Sequence, residues 1–414
     1  MQIGFGQAII TPIMDTEMVG YTPSRNCDGI EKDIYVKAVS LVDNDKTYTW
    51  ITGDILGFDL FFQDQLLKTL DSDGITIEHF QMFSSHTHSA PKCLNEAEYN
   101  SPNTKQSEID YFDYLLKQAK TAIVTSINSK QDFTYKYAHG KMENFQTNRI
   151  NKDAEAFDDI LVIEISQADA NKSLLYSFAG HPTILDSKST LISPDYVGVI
   201  SQALASDYTY NLFFNAPCGD MSTRYTKRES SIAELERLGM IAYENIRKTL
   251  TNLSESKQIK NYKFTDYTYD LKVKDFLSIE RAQKLYDESL LAYNNGLADK
   301  LDKYALRALR GTLEGNMINL HHSKQGYTMT SYPFNYSIVE IDGYKFLNLS
   351  GEIFTSLVSQ LNLDKVWPIS LSNQYRTYLC DKQAFDANTY EALSSLFEKG
   401  QAELMMDKIN KDLI

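Results

Sequence analysis

Two histidines separated by one residue are the side chains of this sequence best suited to chemistry. His86 and His88 lie in the segment FSSHTHSAP (83–91), directly after an apolar run of strand length at 75–82. Side chains two apart on an extended backbone project to the same side, so we expect both imidazoles to face one site. Neutral imidazoles bind zinc, or one binds while the other moves protons. The alternative is two partly buried histidines hydrogen-bonded to backbone.

A third histidine and a glutamate stand at the ends of other predicted strands. His181 occupies a turn of small residues bounded by Pro182. That setting suits a fixed ligand, although a structural role is equally compatible with it. Glu352 follows Gly351 at the far end of a hairpin predicted for 336–349. Its carboxylate can approach a metal closely there, or it can begin the next helix, where an acidic residue is favoured by the helix dipole.

Three further polar residues follow strand-like runs. Arg149 could bind an oxyanion or a carboxylate, or it could simply be solvated. Ser222, in a Gly-Asp turn after a buried strand, could be a nucleophile or a hydrogen-bond donor, but the G-x-S-x-G pattern of hydrolase triads is absent around it. Asp54 ends a strand and could orient a metal-bound histidine, or it could be a turn or helix N-cap residue.

The overall charge and composition exclude several classes of partner. The sequence contains 41 Lys and Arg residues and 55 Asp and Glu residues, a formal net charge of −14 without long blocks of like charge. This balance argues against nucleic acid and anionic membranes as partners. The four cysteines are scattered, which argues against a disulfide framework or a thiolate zinc knuckle. No apolar run approaches the roughly 18 residues of a membrane span, and a secretory signal is not evident. We therefore expect a cytoplasmic protein without a transmembrane segment.

The elements that must position these residues form a mixed pattern. Strands interleaved with helices predict an α/β fold, a layered sheet-and-helix single domain with the active site at strand ends. Two helices at 278–310, broken at 294–296, predict a helical hairpin that leaves the main layers. The hairpin could wall a lipid-binding pocket, or it could be ordinary packing. The pair at 321–322 is predicted to lie in a polar surface loop, no internal repeat is detected, and neither strand order nor oligomeric state is indicated.

Several separate stretches, in order along nearly the whole chain, resemble the neutral/alkaline non-lysosomal ceramidase family. No single stretch is specific, but nine of them in the family order are not plausibly accidental. The matching pieces are Ile10-Thr11-Pro12 with Gly20-Tyr21, Ser85-His86-Thr87-His88-Ser89 with Pro91, Asn148-Arg149, Gly180-His181-Pro182, Ser193-Pro194-Asp195-Tyr196 with Gly198, Cys218-Gly219-Asp220 with Ser222, Gly351-Glu352, Asn373-x-Tyr375-x-x-Tyr378, and Tyr390-Glu391.

The resemblance implies a role for each matched residue. In that family one catalytic zinc is held by two histidines, a glutamate and a tyrosine. Carried over by motif, His88 becomes the proton shuttle beside the metal, Arg149 and Tyr390 match positions that bind the substrate carbonyl or the developing oxyanion, and Ser222 matches a serine implicated in catalysis. We further expect Asp54 and Asp220 to lie in the second coordination shell. The implied zinc ligands are His86, His181, Glu352 and Tyr378.

The sequence departs from the family pattern at two positions near the matched motifs and in the extent of the chain. The turn after Ser222 continues Thr-Arg-Tyr (223–225) where the family usually has proline and asparagine, and Ala90 stands where glycine is usual. The first departure leaves open which acyl-amide is hydrolysed. The sequence also ends shortly after the predicted helix at Tyr390. We therefore interpret 1–414 as one ceramidase-like catalytic domain of a compact relative, without the family's C-terminal immunoglobulin-like domain.

The function that follows is a zinc-dependent amidohydrolase. It would cleave the N-acyl amide bond of ceramide, or of a related lipid-like N-acyl compound, by attack of a zinc-bound water. One alternative keeps the metal but acts on a small non-lipid amide or an ester. Another, of a different class, is a catalytically silent binding protein that retains the fold.

Overall fold

The computed structural model describes residues 1–12 and 16–414. The strands in this part of the chain are β1 (Gln2–Ile9), β2 (Glu17–Met18), β3 (Arg25–Asn26), β4 (Gly29–Ile30), β5 (Tyr35–Asp43), β6 (Lys46–Gly53), β7 (His79–Ser84), β8 (Phe133–Lys141), β9 (Thr147–Asn148), β10 (Asp159–Gln167), β11 (Lys172–Ala179), β12 (Leu191–Ile192), β13 (Tyr210–Ala216), β14 (Met221–Ser222), β15 (Tyr262–Lys272), β16 (Ser331–Ile341), β17 (Tyr344–Leu349), β18 (Glu352–Ile353), β19 (Val366–Ile369) and β20 (Tyr378–Leu379). The helices are α1 (Leu60–Ser72), α2 (Glu96–Tyr99), α3 (Gln106–Asn128), α4 (Tyr196–Leu204), α5 (Ile232–Leu250), α6 (Ile279–Ala298), α7 (Lys303–Gln325), α8 (Thr355–Val358), α9 (Lys382–Asp386), α10 (Tyr390–Ser394) and α11 (Gln401–Asp412).

Three four-stranded sheets share one pattern of strand pairing. Their strand orders are β1-β5-β6-β7, β8-β10-β11-β13 and β15-β16-β17-β19. In each sheet the first three strands pair antiparallel, and the fourth pairs parallel with the third. A helix lies between the two strands of each parallel pair: α1, α4 and α8 in turn. Parallel neighbours need such a crossover. The predicted mixed α/β fold in layers is confirmed.

This repetition corrects the expectation that the chain has no internal repeat. The repeated feature is the order and direction of strand pairing. Strand pairing requires alternating or continuous apolar runs and suitable turns, not particular residue types. Sequence self-similarity can therefore be undetectable while the topology recurs.

The three sheets share an inner core, and helices cover the outer faces of the first two. The inner core contains buried residues from every sheet, among them Phe5, Phe214 and Leu347. Outside the first sheet, α1 and α3 complete a second core. Outside the second sheet, α4 and α5 complete a third. Strand β7 is buried along its whole length between these layers, although His79, Gln81 and Ser84 are polar.

Local sequence explains the turns that connect these strands. The β5–β6 hairpin turns at Asn44, whose φ is 54°, and the β16–β17 hairpin turns at Asp342 and Gly343, with φ of 49° and 87°. Asparagine, aspartate and glycine are the residues that adopt positive φ most readily. The predicted hairpins at 35–56 and 336–349 therefore form with nearly the predicted boundaries.

The helical hairpin is present, but its bounds differ from those predicted. Its turn falls at 299–302, and the sequence at 294–296 continues α6. A Cβ on Gly296 would lie 2.7 Å from Leu309 Cδ1, so this glycine permits close helix packing. His322 was predicted in a surface loop, but it lies in the last turn of α7 with its ring 5.6 Å from that of Phe276. Burial lowers the pKa of His322 to about 4.

Candidate active site

The carboxyl ends of the parallel strand pairs carry the predicted site residues. His86 and His88 follow β7, His181 follows β11, and Glu352 follows β17. Tyr378 begins β20, beyond the end of β19. Each of the three sheets therefore contributes to one place, in agreement with the predicted position at strand ends. Ligand sites of open α/β sheets commonly lie at the carboxyl ends of strands.

The backbone at His86 differs from the extended conformation expected for it. Its φ is 72°, a left-handed conformation that is uncommon for residues other than glycine. The His86 backbone N–H donates to the Ile55 carbonyl at 3.0 Å, and ring Nδ1 lies 2.8 Å from the Leu56 carbonyl oxygen. A carbonyl only accepts, so Nδ1 carries the hydrogen and Nε2 presents a lone pair to the site.

His181 is held beside His86 through one buried asparagine on β13. Asn215 Nδ2 donates to the Ser85 carbonyl at 3.1 Å and to the Gly180 carbonyl at 2.7 Å, and Asn215 Oδ1 accepts the Gly180 N–H at 2.9 Å. A Cβ on Gly180 would lie 2.0 Å from the Tyr196 hydroxyl, so the turn requires glycine. The rings of His86 and His181 lie 4.8 Å apart between centroids.

His88 completes a buried group of three imidazoles. His86, His88 and His181 offer ring nitrogens that all lie within 4.8 Å of one another. Burial and the neighbouring His86 and Arg149 lower the pKa of His88 well below its ordinary value. Burial and Arg149 do the same for His181. At neutral pH both rings are therefore neutral, the form that binds a metal or accepts a proton.

The N-terminal segment packs closely against His88. A Cβ on Gly20 would lie 2.5 Å from His88 Cγ, and Gly20 has φ of 98°. The Tyr21 ring stands edge-on to the His88 ring at 4.8 Å, and Arg25 Nη2 donates to the His88 carbonyl at 2.8 Å. Within residues 1–12 and 16–414, neither ring nitrogen of His88 has a hydrogen-bond partner. The ring is thus fixed by packing while both nitrogens remain available.

Glu352 and Tyr378 are brought together by strand register. They are paired residues of the short parallel strands β18 and β20. Glu352 Oε2 lies 3.4 Å from His86 Nε2 and 3.9 Å from His181 Nδ1. The other carboxylate oxygen, Oε1, accepts a hydrogen bond from the Tyr375 hydroxyl at 2.8 Å. The Glu352 carboxylate therefore meets His86 and His181 at one point, and strand pairing places Tyr378 next to Glu352.

Arg149 lies over this group and is fixed by a second buried ion pair. Its Nε donates to Glu391 Oε1 at 2.7 Å, and its guanidinium carbon lies 5.2 Å from the Tyr378 ring centroid. Burial opposes its charge, but Tyr378, Glu391 and Glu352 raise the pKa of Arg149 well above the ordinary value. Its Nη1 lies 3.4 Å from both ring nitrogens of His181, which is beyond the usual length of a hydrogen bond. Arg149 therefore stays cationic at the edge of the histidines.

Tyr390 and Ser222 belong to two segments next to this arginine: Tyr390 precedes Glu391, the ion-pair partner of Arg149, and Ser222 is in the strand that pairs with β9. Tyr390 begins α10, and its ring lies 5.8 Å from that of Tyr378. Burial and the charge of Glu352 raise the pKa of Tyr390 to about 12, so its hydroxyl is a donor at neutral pH. Ser222 pairs with β9, next to Arg149 in the chain, and its Oγ accepts the Arg224 N–H at 3.1 Å.

The two aspartates expected in the second shell bond elsewhere. Asp54 Oδ2 accepts the Tyr35 N–H at 3.0 Å, and the Leu56 carbonyl takes the position expected for Asp54 at the His86 ring. Asp220 accepts from Asn148 Nδ2 at 2.8 Å and from Thr355 Oγ1 at 2.7 Å. Asp220 therefore ties the Arg149 segment to the Glu352 segment, and neither carboxylate orients an imidazole among the described contacts.

Two residues that act on the site had no predicted role. Tyr375 orients Glu352, and Glu391 orients Arg149. Both occur inside motifs that matched the family, 373–378 and 390–391, so the motifs already contained them. Each of them orients another side chain by a hydrogen bond. Such a role can be recognised only when the location of the side chain that it orients is known.

The donor atoms at the centre fit a metal ion. His86 Nε2 and Glu352 Oε2 are buried at 3.4 Å from each other, and within the described residues neither has a hydrogen-bond partner. Two lone pairs facing each other at this distance repel unless a proton or a cation lies between them. Imidazole nitrogens and carboxylate or phenol oxygens are ligands that zinc accepts. Burial and Glu352 raise the pKa of Tyr378, so a phenolate ligand would require the charge of the ion.

The chain is similar to known proteins both in sequence pattern and in fold. The model of the family described as neutral/alkaline non-lysosomal ceramidase, N-terminal, matches residues 1–222. The crystal structure of neutral ceramidase from Pseudomonas aeruginosa superposes with a TM-score of 0.72 at 14% identity, covering 100% of this chain and 73% of that one. A ceramidase complexed with C2 gives 0.72 at 15% identity, covering 98% and 73%. These identities establish likeness of fold. No curated protein matches the sequence.

Proposed function

Because the chain belongs to the neutral/alkaline non-lysosomal ceramidase family, we propose that it is a zinc-dependent hydrolase of N-acyl amide bonds, with ceramide or a related lipid-like N-acyl compound as substrate. The observation that carries the proposal is the buried, unbridged approach of His86 Nε2 and Glu352 Oε2 at 3.4 Å. It supports a cation at the point where residues of three sheets meet. The solved structure of a ceramidase complexed with C2 supports a lipid-like substrate for this fold.

We propose that His86, His181, Glu352 and Tyr378 hold the ion. When bound, zinc lowers the pKa of a coordinated water to about 7 and polarises a carbonyl. His88 is then free to accept the proton of the attacking water and to return it to the leaving nitrogen. The products are a carboxylate and an ammonium ion: the C–N bond breaks, the water supplies its oxygen to the acyl carbon, and both of its protons pass to the leaving nitrogen.

Arg149, at the cationic edge of the site, stabilises the developing oxyanion in this scheme. Arg149 is held through Nε by Glu391, while its Nη2 has no hydrogen-bond partner among the residues described. Arg149 Nη2 and the Tyr390 hydroxyl are the donors we assign to the substrate carbonyl. One well-placed donor contributes roughly 3–4 kcal/mol to stabilisation of such a transition state. Ser222 is either a nucleophile or a further hydrogen-bond donor in this scheme.

The decisive experiment separates the ligand set from the proton shuttle. All three histidines lie within reach of one ion, so His88 is the residue whose assignment is most sharply tested. We predict that His86→Ala loses bound zinc, whereas His88→Ala keeps stoichiometric zinc and loses at least roughly 10²-fold in kcat, the usual contribution of a general base. Metal analysis and turnover of an N-acyl lipid by the purified variants measure both.

The same preparations distinguish the alternatives. Full activity in both variants would show that the roles are wrong. Loss of zinc in His88→Ala would replace the assigned set by a site of three histidines. A panel of N-acyl lipids, small amides and O-acyl esters tests the alternative that the enzyme hydrolyses a small non-lipid amide or an ester. Wild-type protein that neither contains zinc nor turns over any substrate after zinc is added would favour the silent binding protein.

A further inference from the structure

A large cavity among the described residues lies away from the histidines. It has a volume of about 1210 Å³ and is lined by all three sheets, including Trp50 of β6, Leu175 of β11 and Phe346 of β17. Drug-sized ligands occupy pockets of roughly 300–1,000 Å³ with mainly hydrophobic and aromatic lining. The cavity is therefore large enough for a long flexible molecule.

The cavity and the active site lie at opposite ends of the same strands. Tyr48 and Leu175 line the cavity, whereas Gly53 and Ala179 end those strands beside the histidines. At about 3.3 Å per residue, the five residues from Tyr48 to Gly53 span roughly 17 Å and the four from Leu175 to Ala179 span roughly 13 Å. Between them, Trp50 packs against Phe83 and Phe214 at centroid distances of 5.3 Å and 5.7 Å. Phe83 and Phe214 are buried and do not line the cavity, so an aromatic layer closes it from the active site.

The apolar residues that line the cavity recur at alternate positions along a strand, which indicates a surface formed by the fold. Along β10, Leu161, Ile163 and Ile165 line the cavity at alternate positions. Of the two residues between them, Val162 belongs to the core under α5, and Glu164 Oε2 accepts the Tyr208 hydroxyl at 3.0 Å. Ile163 is at the middle of this strand and yet only half-buried, as is Trp50. Large apolar side chains left partly exposed inside a fold mark ligand sites. An aliphatic chain would complete their burial.

The rim of the cavity is polar and carries two lysines. Lys257 and Lys260 are exposed and belong to the lining segment 256–261. Lys257 Nζ lies 4.6 Å from the Tyr137 ring centroid. In residues 1–12 and 16–414, neither lysine forms a salt bridge with a carboxylate. The ammonium groups are therefore available to a negatively charged head group.

Two acidic residues share the rim and are engaged by other groups. Asp342 Oδ1 accepts the backbone N–H of Lys260 and of Asn261, at 3.0 Å and 2.8 Å, and Oδ2 accepts the Tyr135 hydroxyl at 3.3 Å. Glu340 stands between Lys263 and Lys345 on the neighbouring strands. Both oxygens of Asp342 thus have donors within the fold, and Glu340 has a lysine opposite it on each neighbouring strand.

We propose that this cavity is a second binding site, and that its ligand is a single-chain amphiphile with a carboxylate head, that is, a long-chain fatty acid anion. The aliphatic chain lies between the three sheets, and the carboxylate meets Lys257 and Lys260 at the rim. The proposal goes beyond the proposed hydrolysis and does not depend on it, because the cavity shares no residue with the active site.

A tryptophan inside the cavity provides a direct test. The chain contains two tryptophans, and the other, Trp367, is fully buried and outside the lining. In Trp367→Phe the emission therefore reports Trp50 alone. Titration with decanoate, dodecanoate and tetradecanoate below their micellar concentrations should give a saturable change, with Kd tightening roughly tenfold for every two methylenes. Dodecylamine should bind at least tenfold more weakly than dodecanoate.

Charge variants and a blocked active site locate the ligand. In the same background, Lys257→Gln and Lys260→Gln together should weaken dodecanoate about tenfold and leave dodecanol unchanged. Lys117→Gln, an exposed lysine on α3, is the matched control and should change neither. His86→Ala should leave binding intact.

The proposal is overturned by any of four results: an absent or non-saturable response, equal affinity for the amine and the carboxylate, loss of the response in His86→Ala, or sedimentation of the protein as a stable dimer whose dissociation is needed before Trp50 responds. The last result would show that a second copy covers the cavity.

Discussion

At the scale of single residues, the site depends on side chains that fix the orientation of others. His86 is oriented by the Leu56 carbonyl, Glu352 by Tyr375, and Arg149 by Glu391. Outer hydrogen bonds of this kind set the direction of a ligand's lone pairs and commonly change metal affinity by 10- to 100-fold. A Cβ on Gly57 would lie 2.4 Å from Tyr375 Cβ, so the loop after β6 positions both Tyr375 and the His86 ring.

The hydrogen bond from Tyr375 gives the first prediction at this scale. Tyr375→Phe leaves Glu352 Oε1 buried without its donor, so we expect zinc to bind roughly 10- to 100-fold more weakly. Competition with a chelator of known affinity measures the change. Tyr99→Phe is a matched control, because its hydroxyl also donates to a carboxylate, Asp113 at 3.1 Å, but on the surface. Unchanged zinc affinity in Tyr375→Phe would mean that the carboxylate is oriented by another contact.

At the scale of elements, the helical hairpin contacts the active site through α10. Gly315 of α7 faces α10, and a Cβ on this glycine would lie 2.7 Å from Leu393 Cβ. Tyr390 and Glu391 lie in the first turn of α10. The hairpin, predicted as an excursion that either walls a pocket or merely packs, therefore supports the helix that carries two site residues.

This packing predicts the effect of a larger residue at the helix contact. Gly315→Val should push α10 outward at a cost of about 1–3 kcal/mol in stability. Because a displacement of about 1 Å at catalytic groups can cost 10²-fold in rate, kcat should fall by a similar order while bound zinc is retained. Thr312→Val, on the exposed face of the same helix, should leave both unchanged. Wild-type turnover in a folded Gly315→Val protein would show that α10 does not position the reacting groups.

At the scale of the whole molecule, three similar sheets place their parallel strand ends at one site and enclose a cavity at the other end. The assigned ligands come from four separate segments, so a metal can bind them together only when all three sheets are in place. A ligand that binds only the native state stabilises it by about 2.7 kcal/mol at 100 times its Kd. We therefore expect binding of a metal by the assigned ligands to be coupled to folding of the three sheets.

Metal removal tests that coupling. We predict that chelation lowers the Tm of the wild-type protein and that added zinc restores it. The Tm of His86→Ala should respond to neither treatment, since the ion has lost a ligand. Differential scanning calorimetry of both proteins, with and without chelator, measures the shift. An identical Tm for wild-type protein before and after removal of a stoichiometric ion would contradict the coupling.

The length and apolarity of the helices decide whether any of them could cross a membrane. Among the helices of residues 1–12 and 16–414, none combines the length and the apolarity that crossing a membrane demands.

Local sequence determined the elements and the kinds of chemistry. Alternation and turn residues predicted the hairpins at β5–β6 and β16–β17, because those signals act between neighbours in the chain. Imidazoles behind an apolar strand indicated a metal or a proton shuttle, and ordered motifs implied Glu352 and Tyr378. The left-handed backbone at His86 was not predicted, because it is imposed by bonds to the loop after β6, 30 residues away.

Only the tertiary structure decided which of these residues meet. The pairing of Glu352 with Tyr378, the replacement of Asp54 by the Leu56 carbonyl, and the roles of Tyr375 and Glu391 all depend on contacts between distant segments. The threefold recurrence of the sheet and the cavity between its copies depend on strand pairing and on the space left by packing. Neither the recurrence nor the cavity is encoded at any one position, since each arises from the geometry of many apolar contacts acting together.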